Sequence, residues 1–345
     1  MVLGAILVVR ADSEAILEDS ADTRPAPLAC VEILGCSVVE RMAERFLASD
    51  AEAVTVLVDS RIFSLLPAFR KSHPRVKIES VEDLTLAVES TLKTFCDEGI
   101  DYALVSTAGA YTECDFIDLL WFHRGSHQPI TKVINHKSVL DLWIVDCAKV
   151  QSEDLMAAIS GDLGYDPPTY LVSEYVNPLA SLRDVRQMAS DALTGRCGVR
   201  PAGREVRPGV WVDERADIHK RARLVAPAYI GRGSRICEDA VITRCSSIES
   251  LSHVDFGTVV DDSSVLSNSY VGIWLDVSHA VVWGSRLLSL GRGVEVDISD
   301  GSVLRQNVAL AQESRRGPMS GTLGSFVPGN GKPLSSYKNV FAGDL

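Results

Sequence analysis

The chain has 345 residues, 46% of them hydrophobic, and a net charge of −12 from 34 basic and 46 acidic residues. That length supports two domains with their own cores, and the acidity argues against nucleic acid or an anionic membrane as the main partner. No stretch reaches the length of a membrane span, and the apolar start at residues 1–9 is too short for a signal-peptide core with a cleavage site. A soluble, cytoplasmic protein is expected.

In chain order, Ala5-Ile6-Leu7-Val8-Val9 is a continuous apolar run suited to a buried strand. Ser37 followed by Glu40 reads as a capping box, opening a helix with Val38, Val39, Met42, Phe46 and Leu47 on one face. Ala53-Val54-Thr55-Val56-Leu57-Val58 is the next strand. Ser80 and Asp83 open a second helix along Leu84, Ala87, Val88, Leu92 and Phe95. Tyr102-Ala103-Leu104-Val105 is a third strand, and a third helix begins near Asp115 and runs through Leu119, Leu120 and Phe122. Strands alternating with helices predict a mostly parallel sheet covered on both faces, an α/β domain over residues 1–180. Asp166-Pro167-Pro168 marks a turn. A short polar helix over 182–196 ends near Gly195, and Gly198, Arg200, Pro201, Gly203, Arg204, Pro208 and Gly209 read as linker, so that helix and linker together occupy 181–209.

The second half is organised differently. Ile218, Leu224, Ile230, Ile236, Ile242, Ile248, Val254 and Val260 are spaced six apart. At this composition eight apolar hits in one register arise by chance about once in 500 frames, so the spacing is a repeat. Neither an α-helix nor a simple strand has that period. A chain coiling with three short strands per turn does, each strand turning one aliphatic residue inward. After Val260 the register slips by one residue and continues through Val265, Val271 and Val277, which implies a shortened corner within a continuing coil over 210–304. From residue 305 onward, Gly317-Pro318, Pro328-Gly329-Asn330-Gly331 and Lys332-Pro333 suggest an unstructured tail.

Eight cysteines are present, none in a Cys-x-x-Cys pair. Reduced thiols in apolar surroundings are expected, and because no Cys/His cluster has zinc-ligand spacing, no metal site is predicted from them.

Two halves of this kind, in this order, resemble the sugar-1-phosphate nucleotidyltransferases (nucleotide-sugar pyrophosphorylases such as mannose-1-phosphate guanylyltransferase). The local match is Asp22-Thr23-Arg24-Pro25-Ala26-Pro27-Leu28 before the helix capped by Ser37, where the family carries Arg/Lys-Pro-Lys-Pro-Leu. Asp101 to Val105, then Asp115 and the helix ending Phe122-His123-Arg124, are similar to its central strand and following helix. The resemblance implies a glycosyltransferase-A-like (Rossmann-like) domain followed by a left-handed β-helix of hexapeptide repeats. It also implies a nucleoside triphosphate cradled by a Gly-rich loop, Mg²⁺ held by carboxylates, and basic side chains clamping the phosphates.

The sequence departs from the family at each of these parts. Val9-Arg10-Ala11-Asp12-Ser13-Glu14 replaces Gly-Gly-x-Gly-Thr/Ser-Arg, Ala26 stands for the lysine, and Gly109 or Ala110 aligns with the metal-binding aspartate. Arg10, Arg24 and Asp115 remain as candidate substrate-binding residues, with Glu113 or Asp115 as a metal ligand only if the enzyme is active with Mg²⁺. Asp115 is equally suited to capping its helix. The leading expectation is a degenerate relative that binds a nucleotide sugar or nucleoside triphosphate, or serves as a regulatory or scaffold subunit, in sugar-nucleotide or polysaccharide metabolism. An active enzyme with displaced residues is the first alternative. A hexapeptide-repeat acyltransferase using His219, His253 or His279 is the second. The flat coil faces and the open last coil predict a homo-oligomer or pairing with a homologous subunit.

Overall fold

The computed structural model describes residues 1–12, 16–17, 26–136, 139–150 and 166–307. Its first part is an α/β domain on seven strands: β1 (Leu3–Val9), β2 (Ala53–Asp59), β3 (Val76–Val81), β4 (Tyr102–Thr107), β5 (Ile130–Ile134), β6 (Val139–Asp146) and β7 (Thr169–Leu171). Their order is β7-β5-β6-β4-β1-β2-β3, and β6 alone runs against the others. All seven residues of β1 are buried, as a central strand covered on both faces requires. The sheet is therefore mixed and mostly parallel. Of these strands the sequence predicts β1, β2 and β4 only; β3 is an edge strand with no buried residue although Val76-Lys77-Ile78-Glu79 alternates, and β5, β6 and β7 complete the sheet beyond β4.

Helix α1 (Val38–Ala48) starts at Ser37, whose hydroxyl accepts the Glu40 amide at 3.2 Å. The capping box is only half formed, since Glu40 turns away and its Oε1 accepts the Arg70 amide at 2.6 Å. Asp83 caps α2 (Leu84–Asp97), while Ser80 belongs to β3. Asp115 caps α3 (Phe116–Ser126), and α4 (Leu182–Leu193) ends before Gly195, which adopts φ 72°. Val38, Val39, Met42 and Phe46 of α1 are buried against β1 and β2.

The second part consists of short strands in three largely parallel sheets, consistent with a β-helix. One face stacks Val210–Val212, Ala228–Ile230, Ser246–Ile248, Ser264–Val265 and Ala280–Trp283. A second stacks Asp217–Ile218, Arg235–Ile236, His253–Val254 and Ser269–Val271. The third stacks Arg223–Leu224, Val241–Thr243, Val259–Asp261 and Asp276–Ser278. Early registers pair residues 18 apart, such as Ala228 with Ser246 and Arg235 with His253; later ones pair residues 17 apart, such as His253 with Tyr270. The predicted slip is thus a shortened corner at Asp261-Asp262-Ser263, and Ile248 stacks directly on Val265. From Ile230 to Val277 the ladder residues form one buried row, whereas Ile218 and Leu224, in the first turn, are half-buried.

Corners repeat as the strands do. Left-handed backbone recurs at Arg215, Gly233, Leu251 and Asn268, one above another, and again at Asp239, Gly257 and Trp274. Non-glycine residues adopt that conformation at a cost, so the packed ladder stabilises each turn against its own corners.

Both ends of the coil close with reversed strands. Arg204–Arg207, read from the sequence as linker, pairs antiparallel with Val210–Val212. At the other end, Arg286–Ser289 and Val294–Asp297 form antiparallel additions to the first face, with Val294 and Val296 exposed and so outside the ladder. Leu304–Gln306 pairs antiparallel with Ser269–Val271, which carries ordered chain past residue 305. Residues 308–345, the rest of the predicted tail, lie outside the described residues.

Truncating a central rung tests whether the ladder is the coil's stability. Ile242→Ala, at a fully buried position, is expected to cost about 2–5 kcal/mol by chemical denaturation. Ile218→Ala, in the half-buried first turn, is expected to cost less.

Candidate functional site

In the α/β domain the chain builds β1, β2 and β3 outward on one side and then crosses to β4 on the other. The sheet order therefore reverses between β1 and β4, and their carboxyl ends frame the crevice where open α/β sheets accept ligands. Arg10 to Asp12 follow β1, Asp59 to Arg61 close β2, and Ala108 to Ala110 follow β4.

Among the described residues, the two cations of these segments, Arg10 and Arg61, are already paired. Arg10 donates from Nε and Nη2 to the two oxygens of Asp12, both at 3.0 Å. Arg61 clasps Asp59 through Nε and Nη2 and adds its own amide at 2.9 Å. Asp59, buried in its loop, also accepts the Ala11 amide. Its carboxyl is held below the usual carboxylate range chiefly by the Arg61 guanidinium, and that of Asp12 chiefly by Arg10. Two cations and two anions sum to zero, which leaves no surplus charge for a phosphate among Arg10, Asp12, Asp59 and Arg61. The Asp59 carboxylate also engages one backbone donor of the loop after β1, the Ala11 amide.

The other expected residues separate. Arg24 lies outside the described residues. Asp115 Oδ1 accepts the Ile117 and Asp118 amides at 2.9 and 3.1 Å, so it serves as the α3 cap. No hydrogen bond or ion pair joins it to Arg10. Glu113 accepts the Gly198 amide at 2.5 Å and the Tyr111 hydroxyl at 3.3 Å, tying the segment after α4 to the domain. Gly109 has open space where a Cβ would sit, so nothing in its packing requires a glycine.

Polar groups instead concentrate where the first coil face packs on the domain. Tyr229, Leu266, Val281 and Trp283 of the coil join the same apolar cluster as α1 and β1. Arg70 grips the buried Asp213 with two bonds of 2.5 and 2.7 Å. Glu249, fully buried, accepts the amides of Leu34 and Gly35 at 2.9 and 3.0 Å. Gly35 has φ 85°, and a Cβ there would lie 2.3 Å from the Tyr229 hydroxyl. Burial pushes the Glu249 carboxyl up to about 8 despite those two donors.

A cleft of about 750 Å³ between α4 and a coil corner is lined by Arg183, Arg186, Arg196 and Arg244. Here too the cations have partners: Arg186 with Asp262, Arg244 with Asp261, Arg196 with Asp191, and Arg183 with the Leu290 carbonyl.

The outward row of the second coil face holds a different group. Cys237 Sγ lies 3.1 Å from His253 Nε2, and Cys237, His253 and Asp255 each offer a donor atom within 4.8 Å of the others. Linear spacing gave no sign of this set; the 18-residue coil stacks Asp255 over Cys237. Of the other two candidate histidines, His279 pairs with Asp262 and is mostly exposed, while His219 accepts only a long 3.4 Å contact from the Arg221 amide.

No family model matches the chain, and no curated protein matches it. Among the described residues no helix is long and apolar enough to cross a membrane.

Two substitutions test the contact between the halves. Arg70→Ala leaves Asp213 buried without its partner and is expected to lower stability by about 3–5 kcal/mol, read by chemical denaturation. Glu249 has its folded pKa raised from 4.5 to about 8. Its stabilising contribution is therefore full below pH 4.5 and declines as pH rises toward and through 8. The stability difference between wild type and Glu249→Gln should shrink over that window; a difference that grows with pH would contradict the assignment.

Proposed function

We propose that this chain is a degenerate relative of the sugar-1-phosphate nucleotidyltransferases, acting as a binding, regulatory or scaffold subunit in sugar-nucleotide metabolism. The α/β domain is then of the glycosyltransferase-A type and the coil a left-handed β-helix of hexapeptide repeats. The observation that carries the reading is the pair of closed ion pairs, Arg10–Asp12 and Asp59–Arg61, at the carboxyl ends of β1 and β2. Transfer to a nucleoside triphosphate depends on unneutralised cations and backbone donors aimed at phosphate. Here the carboxylates of the same loops take both. The carboxylate that would bind Mg²⁺ is replaced at Gly109 or Ala110, and Asp115 is engaged with its helix.

The same reading assigns the remaining work to surfaces. Val294–Asp297 ends the first coil face as a strand exposed along its length, with one edge unpaired among the described residues, a ready template for another strand. A homo-oligomer, or pairing with a homologous active subunit, would cover it.

With Mg²⁺ and common nucleotide sugars, the purified chain should not exchange labelled pyrophosphate into nucleoside triphosphate. Exchange at an enzymatic rate would establish the active alternative. A thermal-shift screen of nucleotide sugars separates a retained binding site from a scaffold, since a ligand at 100 times its Kd stabilises by about 2.7 kcal/mol. Light scattering should give a mass above that of one chain, and a monomer at micromolar concentration would remove the scaffold role proposed for the coil end.

A further inference from the structure

The coil's second face presents three side chains of different donor type to one point. Cys237 follows Ile236, and Asp255 follows Val254, the stacked ladder residue one turn on. Their backbones are fixed by the next strands, with the Cys237 amide donating to the Val254 carbonyl and the Asp255 amide to the Val271 carbonyl, both at 2.9 Å. His253 is the outward residue of its own strand and lies between them. Sulfur, imidazole nitrogen and carboxylate oxygen thus converge from one strand residue, His253, and from two residues, Cys237 and Asp255, that each directly follow a strand.

We propose that Cys237, His253 and Asp255 bind a single divalent transition-metal ion of the zinc class, with a fourth coordination position open to water or a partner's donor. In a tetrahedral zinc site, metal–donor distances of about 2.0–2.3 Å set donor–donor separations at about 3.4–3.6 Å. The Cys237–His253 separation of 3.1 Å and the 4.8 Å bound on the set bracket that range. Thiolate and imidazole together select zinc-like ions and disfavour Mg²⁺ and Ca²⁺, which take oxygen ligands. The site is therefore separate from any Mg²⁺ chemistry of the α/β domain.

Supporting contacts surround the set. The Tyr270 hydroxyl donates to Asp255 Oδ2 and the Phe256 amide to Oδ1, both at 2.7 Å, which orients the carboxylate and leaves lone pairs on each oxygen. The Tyr270 ring meets His253 edge-on at 5.2 Å and is covered by Arg305, whose guanidinium carbon lies 3.6 Å from its centroid. Without a cation, burial and then the Asp255 charge push the Cys237 thiol up, while burial pushes the His253 imidazolium down. Metal binding expels the thiol proton to solvent as the sulfur–metal bond forms.

The test uses the full chain, stripped with EDTA and titrated with Co²⁺ as a spectroscopic probe. One Co²⁺ per chain should bind with a thiolate-to-metal charge-transfer absorption, and Zn²⁺ should displace it. Cys237→Ser should abolish that absorption, while Cys96→Ser, at an exposed cysteine elsewhere, should leave it intact. His253→Ala and Asp255→Asn should each weaken Co²⁺ binding by about tenfold or more. Should Cys237→Ser fail to fold, alkylation of the wild-type chain decides the matter. Zn²⁺ should then protect Cys237 and leave Cys96 reactive. Absence of stoichiometric binding, an absorption that survives Cys237→Ser, or Cys237 alkylated equally with and without Zn²⁺ would each overturn the proposal.

Discussion

The 18-residue turn of the coil is the constraint on which the other features rest. Three strands per turn place residue i beneath residue i+18, or i+17 in the later turns, so every position in the turn becomes a row running along the coil. The inward rows must be aliphatic and of similar size, and Ile230, Ile236, Ile242, Ile248, Val254 and Val260 meet that demand. Outward rows are released from it, and each face is free to acquire its own chemistry. On the first face an outward row carries Trp211, Tyr229 and, further along, Val281 into the α/β core. On the second face a row of the same coil carries Asp217, Arg235, His253 and Tyr270, with polar side chains above and below one another.

The contact between the halves follows from that release. A coil face packed on another domain buries residues on both sides of its strands, so polar groups there need partners. Asp213 finds Arg70, and Glu249 finds two amides of the turn at Leu34 and Gly35. Leu34 and Gly35 both have positive φ, and their successive amides donate to the two oxygens of the one Glu249 carboxyl. That turn is occupied by a side chain of the coil. Backbone donors that could receive an external anion are thereby used to join the two halves, and the same occurs where Asp59 takes the Ala11 amide.

What could be read from the sequence divides along physical lines. The ladder was legible to the single residue, including the slip after Val260, because a buried aliphatic row admits little substitution. The three caps at Ser37, Asp83 and Asp115 were legible because their chemistry is local. Strand β3, the largely buried β5 and β6, the short β7 and the Arg204–Arg207 strand were not read: Arg204–Arg207 is exposed throughout, and a short apolar run such as Ile130–Ile134 fits a buried helix segment as well as a strand. At the crevice, the absence of glycine after β1 was visible, but Asp59 and Arg61 were not singled out. Their role comes from the sheet order, which brings the end of β2 beside that of β1. The Cys237, His253 and Asp255 set was missed for a related reason. Separations of 16 and 18 residues match no motif until the length of one coil turn is known.

Local stability and phosphate chemistry make opposite demands at the crevice. A loop poised for a triphosphate holds cations apart from carboxylates and leaves amides unfilled, and that frustration is relieved only by the ligand. In this chain Arg10 and Arg61 each lie two residues from the aspartate they bind. Pairs so close in sequence form without a ligand and persist, because a competing phosphate must first displace a tethered carboxylate. On the function proposed above, catalysis would thus require more than glycines after β1. Asp12 and Asp59 would also have to release their partners, at which point the loops would lose the interactions that now order them. The coil carries no such conflict, because its inward ladder holds the fold whatever its outward rows present.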